Sequence, residues 1–192
     1  AILLFDDHLY ISIGYSEDET GIKHVDSGKI FKINLIDRNF KTFSSGHRNV
    51  QGITKMNNLI FATEHGPQGG DEINIISEGL DYGWPNHSFG TKYGSYDNYL
   101  ANNDNSNFEL PMFSYVPSIG ISEIIRLPNN FSNHFIDNFI IASLNGKSLF
   151  RIKFDEDYSK ILFSEKIFIG KRIRDIKYHN QTKTILLGLE YN

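Results

Sequence analysis

Arg48, Asn49 and Gln51 put a planar cation and two amide side chains into one short stretch, just ahead of the apolar run Ile53 to Phe61. That set suits a ligand bearing carboxylates or quinone oxygens, because guanidinium and amide groups make directed hydrogen bonds to planar oxygen acceptors. A turn whose Arg pairs with a neighbouring acid would use the same residues. A second concentration follows at Glu64-His65-Gly66-Pro67-Gln68-Gly69-Gly70-Asp71-Glu72. Gly and Pro turns expose carbonyls with little side-chain obstruction, and hard cations take carbonyls and carboxylates, so a calcium site is one reading. The spacing is not that of an EF-hand, and a solvated turn is the other reading. The same glycines leave backbone free for close approach of a ligand. His65 is either a donor lining a ligand or a packed loop residue.

Arg172-Ile173-Arg174 places two guanidinium groups on one face of a strand, because strand side chains repeat with period 2. They repel unless a bound anion or a carboxylate such as Glu64, Asp71 or Glu72 compensates. His8, His24, His87, His134 and His179 show no metal-ligand spacing and are read as structural. With no cysteine, a metal here takes oxygen or nitrogen ligands, a set that favours calcium or magnesium. The 19 basic and 23 acidic residues leave a net charge of −4, which argues against nucleic acid or an anionic membrane surface as the main partner. No apolar run approaches the roughly 18 residues of a membrane-spanning helix.

What must hold these residues is β structure. The 192 residues, 40% of them hydrophobic, suit a single domain with a real core. Ile2 to Phe5 and Leu9 to Ile13 read as a hairpin, Gly28 to Leu35 alternates polar and apolar, and Asn39 to Phe43 is a short partner. Ile53 to Met56, Leu59 to Thr63 and Glu72 to Ile76 follow. Strand patterns resume at Leu110 to Val116 and Ile121 to Leu127, then at 139–143, 148–154, 161–169, 172–178 and 184–189. Asn145-Gly146 marks a hairpin, Asn86 to Asn107 is a long surface loop, and 131–138 holds at most one helical turn. This is an all-β chain whose strand spacing suits a sandwich, a barrel or a propeller. A weak repeat favours the propeller: a strand, a turn, then Gly-Lys followed directly or one residue on by [LI]-F-[KR]-I occur at 9–33 and again at 139–152. The first strand pattern begins at once, so the chain reads as starting inside a longer protein.

At these residues the chain resembles the soluble quinoprotein sugar dehydrogenases, the glucose/sorbosone or aldose sugar dehydrogenase family. The shared landmarks are GHRN-x-QG at 46–52, ATEHGP-x-GGDEIN at 62–74, YGWP at 82–85, VPSIGIS at 116–122, SLNGKSLFRI at 143–152 and RIRDI at 172–176. The resemblance implies a six-bladed β-propeller, here an incomplete set of blades in one partial domain, 1–192, that lacks N-terminal blades and a closing strand. It implies pyrroloquinoline quinone over the central channel and calcium beside it. Arg48, Asn49, Gln51, His65, Ser118, Arg172 and Arg174 match cofactor-binding positions. The carbonyls of Gly66 and Pro67 match the holders of the catalytic calcium, and Asp71, Glu72 and the Tyr82 carbonyl match a further, structural calcium.

The resemblance also implies a sugar substrate, an external electron acceptor and a periplasmic or secreted location. Two departures stand out. The family's cofactor-binding lysine falls at Asn145, with Lys147 one strand period on. The His-Asn-Gly-Gly segment that supplies the general base does not occur in the chain, so that base is expected upstream and the chain alone is expected to be inactive. The alternative is a non-catalytic propeller that binds a protein or carbohydrate, as Hedgehog-interacting proteins do.

Overall fold

A computed structural model describes residues 1–95, 97–99 and 107–191. Its first sheet is an antiparallel meander of β1 (Ile2–Phe5), β2 (His8–Ile13), β3 (Lys29–Asn34) and β4 (Phe40–Ser45). The second repeats this with β5 (Val50–Met56), β6 (Leu59–Glu64), β7 (Asp71–Ile76) and β8 (Phe113–Tyr115). The third does so with β9 (Ile121–Arg126), β10 (Asn138–Ser143), β11 (Ser148–Phe154) and β12 (Ile161–Phe168). A hairpin of β13 (Arg172–His179) and β14 (Thr184–Glu190) closes the described chain. The single helical turn is a 3₁₀ turn, Asn133–Phe135. First strands pack on one another in succession, β1 on β5, β5 on β9 and β9 on β13, which is the arrangement of propeller blades.

The repeated sequence pattern falls on equivalent places, β2–β3 of the first sheet and β10–β11 of the third. Apolar side chains fill each space between sheets. Tyr10, Ile30 and Phe43 meet Ile53, Ile60 and Ala62 between the first and second sheets. Phe61 and Ile73 meet Ile124, Phe139 and Ile141 between the second and third. Ile140, Ala142 and Leu149 meet Ile173 and Ile176 beneath the hairpin. Neighbours in β6 thus face opposite cores, which is why that strand reads as a continuous apolar run.

In an up-and-down meander every second connection emerges at the same end. The loops after β2, β4, β6, β8, β10 and β12 therefore share one rim, and the sequence's chemical residues lie on them. The long connection between β7 and β8 reaches this rim by climbing beside β4. Gly79 N donates to Phe43 O (2.7 Å), Ser45 N to Leu80 O (3.1 Å) and Trp84 N to Gly46 O (2.9 Å). Part of the expected loop Asn86 to Asn107 lies outside the described residues; of the rest, Ser88 and Gly90 are buried.

Candidate functional site

Arg48 follows β4 and lies on the rim. Its backbone N donates to Glu64 Oε1 (3.1 Å), and its guanidinium donates to His65 O (3.2 Å) and Tyr93 Oη (3.3 Å). The same guanidinium lies over Trp84 (5.3 Å to the ring centroid) and Tyr93 (5.9 Å), both from the climbing connection. Among the described residues no carboxylate pairs with it. Beside it opens a hollow of about 270 Å³ lined by Gly14, Tyr15, Arg48, Asn49 and Trp84.

Gln51 belongs to β5, not to the preceding turn. It sits in a β-bulge, since Val50 pairs with Glu64 and Gly52 with Thr63. Arg174 sits in the corresponding bulge of β13, between the pairs Ile173–Leu189 and Asp175–Gly188. A bulge re-aims one side chain out of the ladder, and these two meet: Arg174 Nη1 donates to Gln51 Oε1 at 3.3 Å. Gln51 Nε2 donates in turn to Asn49 Oδ1 (2.8 Å). The acid that compensates the arginine pair is neither Glu64, Asp71 nor Glu72, as the sequence reading allowed, but Glu190. It accepts from Arg172 Nε at 2.7 Å and Arg174 Nη2 at 2.8 Å. Those two bonds, Arg174 first, hold its carboxyl below the ordinary value.

His65 Nε2 is buried without a hydrogen-bond partner among the described residues. Burial lowers the ring's pKa, and the charges of Arg48 and Arg174 add to this, against the opposing pull of Asp71 and of a hydrogen bond at Ile121. His65 is therefore a neutral imidazole with a free nitrogen on the rim.

The acidic loop separates into two roles. Asp71 is engaged by three donors: Gly66 N (3.1 Å) and Ser118 Oγ (2.9 Å) on Oδ1, and Ile121 N (2.9 Å) on Oδ2. Ser118 thus spends its hydroxyl on Asp71. A Cβ on Gly66 would stand 2.2 Å from Gly69 O, so the packing of its own loop requires this glycine. Pro67 O accepts from Tyr93 Oη (3.1 Å). Glu72 is different: it is buried, with Asn74 Nδ2 donating to it at 3.2 Å while Asn74 Oδ1 has no partner. Its pKa is raised to about 8, by burial first and then by the charges of Glu64 and Asp71. Glu64 and Glu72 both line a narrow pocket that also touches Gly66 and Tyr82. Among the described residues no three His, Asp or Glu side chains converge as a metal site.

Lys147 stands in the turn after β10 at φ +48°, outside either strand, so strand period does not set the direction of its side chain relative to Asn145. Both residues are exposed on the rim. Tyr15, Trp84, Tyr93 and Glu190 were not among the sequence candidates. Trp84 alone lay in a readable landmark, YGWP; Glu190 comes opposite Arg172 only through the bulge in the last hairpin.

The sequence profile of the Glucose / Sorbosone dehydrogenase family matches residues 2–188. The chain belongs to that family. The landmarks from GHRN-x-QG to RIRDI are thus those of a glucose/sorbosone dehydrogenase in order along nearly the whole chain. Aldose sugar dehydrogenase YliI of Escherichia coli (strain K12) is 30% identical over 140 residues, covering 70% of this chain and 37% of that protein. An apo-form structure of the soluble aldose sugar dehydrogenase from Escherichia coli superposes with a TM-score of 0.83 at 22% identity, over 100% of this chain and 60% of that one. The PQQ-bound aldose sugar dehydrogenase of Streptomyces coelicolor does so with a TM-score of 0.66 at 24% identity, over 91% and 51%. These two likenesses bear on the fold, and agree with blade-like antiparallel sheets. The chain spans little more than a third of the length of the curated relative.

Proposed function

We propose that this chain is part of a quinoprotein that oxidises an aldose sugar by hydride transfer to pyrroloquinoline quinone, held with calcium at the mouth of a six-bladed propeller. The observation that carries the reading is the meeting of Gln51 and Arg174, from bulges in two different sheets, beside Arg48, Asn49 and the free Nε2 of His65. Guanidinium and amide donors gathered at one rim fit a planar ligand with several carboxylates and ring oxygens. When bound, the quinone supplies the hydride acceptor and calcium polarises its carbonyl.

The chain's own residues bind and orient, and the general base is expected upstream. Arg48, Asn49, Gln51 and Arg174 orient the ring, Arg172 shares Glu190 with Arg174 and offsets the carboxylate's charge, and His65 lines the cofactor as a neutral imidazole. Calcium fits Glu72, the Tyr82 carbonyl and the unpartnered Asn74 Oδ1 as hard oxygen donors, with the Gly66 and Pro67 carbonyls serving the catalytic ion. Asp71 enters as the residue that shapes the loop, and Ser118 as the residue that holds Asp71. The substrate is a sugar, an external acceptor takes the electrons, and the protein works in the periplasm or outside the cell. Among the described residues no helix is long and apolar enough to cross a membrane.

Glu190 favours a second reading. Because it already pairs with both arginines and offsets one of their two charges, the rim could serve a non-catalytic propeller that binds a protein or carbohydrate. The complete protein supplied with the quinone and calcium decides between them: glucose-dependent reduction of a dye acceptor is expected, and quinone-independent sugar binding without turnover would select the second.

A further inference from the structure

We infer that His47 is a positioning residue for Arg48, acting through the Glu64 carboxylate; this rests on the quinone-binding reading above. Ser44 Oγ lies 2.8 Å from His47 Nε2, and His47 Nδ1 lies 2.9 Å from Glu64 Oε2. Serine, imidazole and carboxylate follow one another as in a hydrolytic triad, but they are only 2%, 1% and 3% exposed, so no substrate reaches the serine. The line leads to Arg48 instead, whose backbone N is held at 3.1 Å by the other oxygen of Glu64.

Each link is held in turn. The His47 ring stacks on Tyr82 (4.7 Å between centroids, 21° between planes). Tyr82 is itself fixed through its hydroxyl, which donates to Ile75 O and accepts from Ser77 N. With both ring nitrogens engaged, the imidazole fixes one carboxylate oxygen and thereby aims the other. Glu64 so aimed sets the peptide plane from which the Arg48 side chain departs toward His65 O and the faces of Trp84 and Tyr93. Released from His47, Glu64 is free to turn into the pocket it shares with Glu72, and Arg48 loses its anchor. An enclosed acid–imidazole pair is not needed for stability alone, since apolar packing of the same volume does as well or better.

Two isosteres separate positioning from packing. His47→Asn places its amide near the former Nδ1 and keeps a bond to Glu64; His47→Gln places it near Nε2 and keeps only Ser44. Both lose the ring on Tyr82, so their melting temperatures fall together. Calorimetric titration of the complete protein with pyrroloquinoline quinone in saturating calcium should show His47→Gln weakened about tenfold and His47→Asn within about threefold of wild type. Ser44→Ala, which leaves the ring in place, should weaken binding about twofold to threefold. Equal affinities in the two His47 variants, or an unchanged affinity in Ser44→Ala should the His47 variants fail to fold, overturn the inference. Arg48→Ala is the control. Weakened binding there with no split between the isosteres sinks the positioning role alone, whereas unchanged binding sinks the quinone reading with it.

Discussion

Glu72 keeps a proton at neutral pH only while no cation reaches it, because burial and the charge of Glu64 raise its pKa to about 8. Between the ordinary carboxyl value and that point the folded state binds more protons than the unfolded one. The ion-free protein therefore loses stability as pH rises through the interval. Glu123, raised by burial to about 7, adds a slope of the same sign over its own lower range. Substitution separates the two: Glu72→Gln removes the Glu72 slope alone, while Glu123 and the Ala1 amine, which burial lowers from its ordinary value, contribute alike to both proteins. In chelator the melting temperature should fall more steeply with rising pH in wild type than in Glu72→Gln, and calcium should restore wild type alone. Parallel curves for the two proteins would place the ion elsewhere. Residue types were legible in the sequence, but partners were not. Counting back along the β13–β14 hairpin from His179 and Thr184 sets Tyr191 opposite Arg172, and only the bulge at Arg174 brings Glu190 there instead. The donors that hold Asp71, Ser118 and Ile121, could not be read because they lie 47 and 50 residues away.

Bulges at the rim ends of β5, β9 and β13 are the elements that turn regular sheets into a site. They require the first strands to run close together, and Gly52 shows how close. A Cβ there would lie 2.5 Å from Ile124 N and 2.7 Å from Glu123 Oε1. Gly52→Ala should therefore destabilise the protein by ~1–3 kcal/mol through overpacking and weaken quinone binding, because Gln51 shifts with its bulge. A wild-type thermal melt would mean that β5 and β9 are not packed this way. The strands themselves were legible almost throughout, since alternation, β-branched residues and turn residues such as Asn57 at φ +55° agree locally. The connection after β7 was not. Its climb beside β4 rests on bonds from Gly79 to Phe43 and from Trp84 to Gly46 that no local pattern announces.

Across the whole molecule the sheets differ in what covers them. The second and third are apolar on both faces, whereas the first turns Ile2, Leu4, Leu9, Ile11, Phe31, Ile33 and Phe40 to one side in register, with Ile2 67% and Leu4 61% exposed. In the six-bladed reading another blade lies there. The 192-residue chain by itself should then bind a hydrophobic dye and self-associate. A monodisperse monomer that leaves the dye dark would show this face to be an ordinary surface. The repeat at 9–33 and 139–152 made the blade plan legible, because equivalent strands meet equivalent neighbours. In the proposed site residues from separate sheets converge on one quinone, and calorimetric titration of the complete protein with pyrroloquinoline quinone in calcium is the deciding experiment. Arg48→Ala and Arg174→Ala should each weaken binding by roughly 10- to 100-fold with little change in the apo melting temperature, since charge-assisted bonds to carboxylates contribute on the order of 1.5–3 kcal/mol. Unchanged affinity in both variants would contradict the account.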